Sequence, residues 1–377
     1  MTLARVAFYA PIKPPDHPIA SGDREIARLL VRALERAGHD VWLASKCIAY
    51  VKRADEADFQ NKKIRAQAEV SRILDALEAD TQKPDVWMTY HPYCKAPDWI
   101  GPDVCRALQI PYTTVEACHS SQKDHPVWDK GRARVREVVN MATTNFCLKP
   151  TDRIYLESIL HNKDTIFDLA PFIDLSEIRV SPGESVPFAF ANGFPVLTAV
   201  GMMRPGKKQD CYDILARALE RIADTPWNLV LIGDGPARQE IEDLFSFVPK
   251  DRIAITGALP RAQVLSSLAR SDVFVWPGYR EPIGMVYLEA AAVQVPVVAL
   301  ASMGVPMVVC NGETGILAPE TDIDAFADGI LRLVKDADLR ASLGKNARLN
   351  VERRHDIGVA GKILSEEIQR IATTAPG

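Results

Sequence analysis

Two carboxylates eight residues apart, Glu281 and Glu289, stand on either side of Pro282-Ile283-Gly284. A short apolar run ending in Trp276-Pro277-Gly278 precedes them, and an alanine-rich run, Glu289-Ala290-Ala291-Ala292, follows. Pro282 and Gly284 suit a tight turn that opens a helix, which leaves the amides of Gly284, Met285 and Val286 free to face a ligand. A helix N-terminus with unpaired N–H groups is a ready anion site. Carboxylates beside such a site serve hydroxyl groups rather than the anion. The combination fits a ligand with phosphate in its middle and polyols at each end, such as a nucleotide sugar.

These residues need a scaffold, and the chain has the pattern of one. Short β-rich apolar runs alternate with amphipathic helical stretches, which predicts parallel sheets flanked by helices. Val6–Tyr9 reads as a strand, Asp23–Ala37 as a helix and Asp40–Ala44 as the next strand. Val86–Thr89, Tyr112–Glu116 and Asn145–Leu148 are further strands. Ser181–Pro195, with three prolines and two glycines, reads as a linker. A second series follows: strand Leu197–Val200, helix Tyr212–Ala223, strand Leu229–Ile232, helix Ala237–Leu244, strand Ile253–Ile255, helix Ala262–Ala269, strand Val273–Trp276, helix Met285–Val293 and strand Val297–Leu300. Helices at Asp322–Val334 and Ala337–Arg353 end it. The expected organisation is one domain over 1–184 and a second over 185–356, with the last amphipathic segment, 357–377, free to pack back on the first. A chain of 377 residues is long enough for two cores.

Three more segments accompany the paired glutamates: Val200-Gly201-Met202-Met203-Arg204-Pro205-Gly206-Lys207-Lys208, Ile232-Gly233-Asp234-Gly235-Pro236 and Gly257-Ala258-Leu259-Pro260. Together, in this order, they resemble the GT-B retaining glycosyltransferases, in particular glycosyltransferase family 4 (glycosyl transferases group 1), whose signature is a Glu-x7-Glu pair. The resemblance covers Leu197–Arg353 well and the first half loosely, through Pro18–Gly22 and Gly38-His39-Asp40-Val41. It implies an α/β GT-B fold: two doubly wound Rossmann-like domains facing a cleft, the first for the acceptor and the second for the donor.

By the same resemblance Glu289 binds ribose hydroxyls. Glu281, with the amides of Ile283 and Gly284, holds the transferred sugar. Lys207 or Lys208, with Arg204, neutralises the diphosphate, Leu259 belongs to the loop that frames the base, and Met285 and Val286 lie at the phosphate-facing helix start. Where the family has Arg directly after the glycine, this chain has Met202, and Arg204 comes two residues later. Fixed cations and helix amides would stabilise the leaving diphosphate as charge develops on it. No metal and no cofactor is then required; the nucleotide sugar is a co-substrate.

In the first half, Thr113–His119 runs into Glu116, Cys118 and His119. The family places a histidine after the equivalent strand, and His119 matches it best, with His91 and Glu116 as second choices. A Cys118/His119 nucleophile is disfavoured, since neighbouring strand residues face opposite ways. The loop Pro18–Gly22 takes the place of a Gly-Gly loop, with Gly22 beside the phosphate or acceptor. Expected partners are a nucleotide-sugar donor and a saccharide, small-molecule or lipid-linked acceptor. The basic stretch Lys62-Lys63-Ile64-Arg65 allows at most peripheral membrane contact, and a solvated helix is the simpler reading.

Other classes are disfavoured. Net charge is −4 and neither half is polybasic, so no nucleic-acid footprint stands out. Seven scattered cysteines without a Cys-x-x-Cys pair suggest neither zinc nor a disulfide framework. No secretory leader and no run of ~20 apolar residues is evident, and a cytoplasmic enzyme is expected. No Gly-x-Gly-x-x-Gly follows the first strand, which disfavours a nicotinamide oxidoreductase. A non-catalytic GT-B binding or regulatory protein, a nucleotide-sugar epimerase and a phosphorylase remain as alternatives.

Overall fold

The computed structural model describes residues 3–19, 21–79, 83–118, 125–180 and 187–374. The chain divides into two compact units: Met1–Ala170 with Ile357–Gly377, and Pro171–Asp356.

The first unit alternates β1 (Arg5–Tyr9), α1 (Gly22–Arg36), β2 (Asp40–Ser45), α2 (Glu56–Ala79), β3 (Val86–Tyr90), α3 (Gly101–Leu108), β4 (Tyr112–Val115), α4 (Pro126–Met141), β5 (Thr144–Cys147), α5 (Pro150–Ile159) and β6 (Ile166–Asp168). The strands pair in parallel in the order β2-β1-β3-β4-β5-β6. Helices cover both faces of such a sheet, so its central strands are apolar throughout rather than alternating. Every residue of β3, β4 and β5 is buried. In α1, Ile26, Ala27, Leu30, Ala33 and Leu34 form the buried stripe at helical spacing.

The second unit repeats the scheme. Its elements are β7 (Val196–Val200), α6 (Lys207–Glu220), β8 (Asn228–Ile232), α7 (Arg238–Leu244), β9 (Ile253–Ile255), α8 (Arg261–Leu268), β10 (Val273–Val275), α9 (Met285–Ala292), β11 (Val297–Leu300), α10 (Val305–Val308), β12 (Gly315–Ala318), α11 (Ile323–Lys335) and α12 (Ala337–Asn350). The parallel order is β12-β11-β10-β7-β8-β9. Strand order therefore reverses between β7 and β10 here, and between β1 and β3 in the first unit. In open parallel sheets, the carboxyl ends of strands at such a reversal are where ligands bind.

Two elements differ from the sequence reading in ways that matter. The helix expected from Tyr212 begins five residues earlier, at Lys207. Gly206, at φ +86°, turns the chain straight into it, so both lysines ride on its first turn rather than in a loop. The helix expected to run to Arg353 loses α geometry after Asn350. One π turn, Val351–His355, follows it. That turn meets the start of the second unit. Ile173 N donates to His355 O at 2.8 Å, His355 Nδ1 lies 2.6 Å from Pro171 O, and Leu175 N donates to Asp356 Oδ1 at 3.2 Å. These bonds attach Pro171 onward to the second unit, fourteen residues before the boundary expected at 184/185. The linker core at 181–186 lies outside the described residues.

The last helix, α13 (Ile357–Thr374), belongs to the first unit. It packs on α1 at Gly361, where a Cβ would stand 2.7 Å from the carbonyl oxygen of Ala33. Ser365 Oγ meets the buried His39 Nε2 at 2.9 Å, and Thr144 on β5 bonds Glu367. Among the described residues no helix is long and apolar enough to cross a membrane.

Candidate functional site

In the second unit, the loop after β7 is built by contacts too close for side chains. Tyr212 Oη donates to Gly201 O at 2.7 Å, Met203 N to Asp234 O at 2.9 Å, and Ala237 N to Met203 O at 3.0 Å. A Cβ at Gly233 would stand 1.8 Å from Gly201 O, and one at Gly235 would stand 2.2 Å from Met203 O. The Gly-Asp-Gly-Pro turn is thus a buttress for the β7 loop. Met203 is buried in the core, whereas Met202 and Arg204 are exposed. Lys207 is exposed, and among the described residues neither it nor Arg204 has an ion-pair partner. Lys208 is half-buried, its ammonium 5.4 Å from the centre of the Trp276 ring.

Across the reversal, the chain leaves β10 through Glu281 and enters α9. Lys208 Nζ lies 2.5 Å from Glu281 Oε2, so the ends of β7 and β10 are joined by one ion pair. Ile283 is buried beneath this turn. Gly284 is the N-cap of α9 in the left-handed conformation, φ +72°, and a Cβ there would stand 2.4 Å from the Tyr287 ring. No side chain caps this helix. Its leading amides, at Gly284 and the half-buried Met285 and Val286, carry the positive end of the helix dipole.

Glu289, one turn further, accepts from Arg261 Nε at 3.1 Å, and Arg261 Nη1 reaches Glu177 Oε2 at 3.0 Å. Burial pushes the Glu289 carboxyl above the ordinary carboxylate range, and Arg261 opposes this. The half-buried Leu259 lies two residues before Arg261, at the entry to α8. The structure therefore brings Arg204, Lys207, Lys208, Leu259, Glu281, Ile283–Val286 and Glu289 onto the carboxyl edge of one sheet. Arg261 and Glu177 were missed from the sequence. Arg261 sits at the first position of a helix after Pro260, and only tertiary packing puts it against Glu289.

The first unit holds a different arrangement. Ser21 caps α1, its hydroxyl accepting from Arg24 N at 3.3 Å. Gly22 is the first residue of α1, and a Cβ there would meet open space. His119 lies outside the described residues. The second choices do come together: His91 follows β3 and Glu116 follows β4, both at positive φ (57° and 56°). Such backbones cost about 1–3 kcal/mol for non-glycine residues, so surrounding contacts must hold them. His91 Nδ1 lies 3.0 Å from Asp23 Oδ1, and its Nε2 lies 3.2 Å from Cys118 Sγ. Glu116 accepts from Tyr90 Oη at 3.0 Å and from Lys149 Nζ at 2.5 Å. Lys149 also pairs with Asp152 at 2.9 Å.

Burial alone would lower His91, but the Glu116 carboxylate, Cys118 and the Asp23 hydrogen bond outweigh it and raise the imidazole well above its usual value. Burial likewise works against ionised Glu116, yet His91 and Lys149 hold it below the ordinary range. Asp152 is pushed up to about 6 by burial, against the pull of Lys149. Asp23, Lys149 and Asp152 were missed. Each is a charged residue in the first turn or cap of a helix that follows a strand, which is a detectable but common pattern.

Among the described residues no group of three or more histidine, cysteine or carboxylate side chains is arranged to hold a metal ion. Two Asp-x-Asp triplets, 322–324 and 336–338, are engaged as helix caps: Asp322 accepts from Ala325 N and Asp336 from Leu339 N, both at 2.8 Å.

Residues 185–350 match the family model described as glycosyl transferases group 1. This segment is a group 1 glycosyltransferase domain. The group 1 domain contains the whole arrangement around β7 and β10 except Glu177. An alpha-D-kanosaminyltransferase of Streptomyces kanamyceticus is 30% identical over 172 residues, 45% of this chain and 44% of its own length. A GDP-mannose-dependent alpha-(1-6)-phosphatidylinositol monomannoside mannosyltransferase of Mycolicibacterium smegmatis is 27% identical over 249 residues, 62% of this chain and 64% of its own. The aligned stretch thus spans less than two thirds of either relative. The structure of Anabaena HepE in complex with UDP superimposes with a TM-score of 0.70 at 16% identity, over 97% of this chain and all of its own. The fold is α/β, of the GT-B glycosyltransferase type, with a doubly wound sheet in each unit.

Proposed function

We propose that this protein is a retaining, metal-independent glycosyltransferase that moves a sugar from a nucleotide-sugar donor to an acceptor hydroxyl. The observation that carries the reading is the carboxyl edge at the β7/β10 reversal. There, Lys208–Glu281 and Arg261–Glu289 flank an uncapped helix N-terminus. Glu289 accepts hydrogen bonds from ribose hydroxyls, with Arg261 holding its carboxylate in place. Glu281 takes hydroxyls of the transferred sugar. Arg204, Lys207, Lys208 and the α9 amides meet the diphosphate.

As the bond from the anomeric carbon to the phosphate oxygen breaks, negative charge grows on the diphosphate, and these fixed positive groups lower the barrier. The acceptor oxygen bonds to the anomeric carbon from the face the diphosphate leaves, and its proton passes to a departing phosphate oxygen. The acceptor is a saccharide, a small molecule or a lipid-linked species, taken by the first unit, and the reaction is cytoplasmic.

A thermal-shift screen against UDP, GDP, ADP and their sugar conjugates, with and without EDTA, tests the donor. A ligand at 100 times its dissociation constant adds about 2.7 kcal/mol of stability. The expected result is stabilisation by one nucleotide, indifferent to EDTA and lost in Glu289→Ala. Proton NMR of the product should then show the donor's anomeric configuration. Binding without transfer to any acceptor would favour the non-catalytic reading, and an inverted product would refute retention.

A further inference from the structure

The first unit contains a cavity whose lining includes none of the site residues described above. It opens between the carboxyl end of the edge strand β2 and one face of α2. Its volume is about 650 Å³, and it is lined in part by Trp42, Lys46, Cys47, Arg65, Glu69 and Arg72. Small-molecule sites are typically about 300–1,000 Å³. Three cations and one carboxylate line it. Arg65, Glu69 and Arg72 recur at helical spacing, so α2 turns them to a common side.

The carboxylate is already engaged. Glu69 Oε2 accepts from Ser45 Oγ at 2.7 Å and from Arg72 Nη2 at 2.9 Å, and Oε1 accepts from Arg72 Nε at 3.0 Å. Arg72 Nη2 also donates to Ala44 O at 3.0 Å. Lys46 is paired with Asp16. Arg65 remains. Among the described residues its guanidinium has no hydrogen-bond or ion-pair partner. Both Glu69 oxygens bond to Ser45 and Arg72, so Arg65 acts on that carboxylate only through space and keeps its hydrogen-bond donors. Trp42 adds a half-buried aromatic surface, with Arg5 5.6 Å from its ring centre. A guanidinium with five donors beside an indole recognises a planar or tetrahedral anion joined to a ring or apolar body.

We propose that this cavity is a binding site for a small molecule bearing phosphate or carboxylate, with the anion on Arg65 and the body against Trp42. All of its lining residues belong to the first unit, so binding there is tested without a donor and stands or falls without the proposed transferase activity.

The test follows the indole N–H resonance of Trp42 in the full chain, assigned with Trp42→Phe, during titration with phenyl phosphate. A saturable shift is expected, with affinity falling about tenfold in Arg65→Gln, the loss of roughly one charge-assisted hydrogen bond. Arg53→Gln, an exposed charge outside the lining, should bind as the unaltered protein does. Arg65→Gln should melt at the unaltered midpoint, which shows that it folds. Sedimentation with phosphatidylcholine vesicles, with and without phosphatidylglycerol, separates the sources. Capture by the anionic vesicles that weakens in Arg65→Gln assigns the anion to a lipid headgroup, and a response to phenyl phosphate alone assigns it to a soluble ester. A Trp42 resonance unmoved by both probes, or equal binding by Arg65→Gln, overturns the proposal.

Discussion

Both units gather charged side chains where parallel strands end and strand order reverses, but they deploy them in opposite ways. In the first, Glu116, Lys149 and Asp152 are almost wholly buried, and each has its counter-charge within the cluster. In the second, Arg204 and Lys207 stand in solvent, and the pairs Lys208–Glu281 and Arg261–Glu289, with Arg261 exposed and the other three half-buried, lie along the carboxyl edge of the sheet. The difference separates charges that fix a backbone from charges that, on the proposed function, await a ligand. The buried cluster clamps two residues at positive φ, His91 and Glu116, whose side chains bond to Asp23, Cys118, Tyr90 and Lys149 within it. The α9 edge keeps free amides and exposed cations, the properties of a site that acts when something binds.

Breaking the buried cluster should produce the largest effect. Lys149→Met leaves the carboxylates of Glu116 and Asp152 buried without their cation. Removing one partner of a buried pair costs about 3–5 kcal/mol. The expected outcome is a large loss of unfolding free energy in denaturant titration. A loss below about 1 kcal/mol, as for an exposed pair, would erase the contrast between the two units.

The second unit should behave the other way. Lys208→Met and Glu281→Gln are expected to cut kcat by roughly 10²–10³ while melting close to the unaltered protein, since they remove charge stabilisation felt mainly as the sugar–phosphate bond breaks. A drop in stability matching the drop in rate would place this pair with the structural charges of the first unit.

Much of the contrast was legible in the sequence, for physical reasons that differ between the units. Strand–helix alternation is a local property, so β7 to β11 fall within one or two residues of their expected ranges. The α9 edge was legible because one short segment supplies its turn, its amides and both glutamates. Lys208 was reachable only through resemblance, and its true position depends on Gly206 starting α6 early. The cluster of the first unit draws Asp23, His91, Glu116, Lys149 and Asp152 from four separate strand–helix junctions, and no local pattern links them. Arg261 and Glu289 are 28 residues apart and meet only after α8 and α9 pack. Helix spacing made the Lys62–Arg65 stretch readable as a solvated face, but the cavity beneath it needs β2 beside α2.

A smaller effect refines the donor edge. Arg261→Gln removes the ion that holds Glu289 while leaving Glu289 itself. It should raise the donor KM about threefold to tenfold with little change in kcat, as expected when binding is lost equally from ground and transition states. Titration of donor and product rates separates the two parameters. A fall in kcat alone would mean that Arg261 acts on the reacting bond, not on the ribose-side carboxylate.

The smallest predicted effect is also the most discriminating for the buried cluster, because it has a sign. His91 faces Asp23 from α1, Glu116 and Cys118 from the segment after β4, and the rings of Tyr90 and Tyr93. Its imidazole is raised well above the unfolded value of about 6.5. A base whose folded pKa is raised contributes stability that is complete below the unfolded value and is lost as pH rises through the folded one. The stability gap between the unaltered protein and His91→Gln should therefore be widest below about pH 6.5 and should narrow in alkali. Asp152, raised to about 6, acts in the same direction: its contribution is present in acid and is lost as pH rises through about 6. Glu116, held low, opposes both, since its contribution is lost as pH falls. His91→Gln removes only the first of these, so the difference between the two denaturation curves isolates the imidazolium. A gap that stays constant from acid to alkali would mean that His91 is neutral between Asp23 and Cys118, a hydrogen-bonding link rather than a charge, and the positive charge opposite Glu116 would come from Lys149 alone.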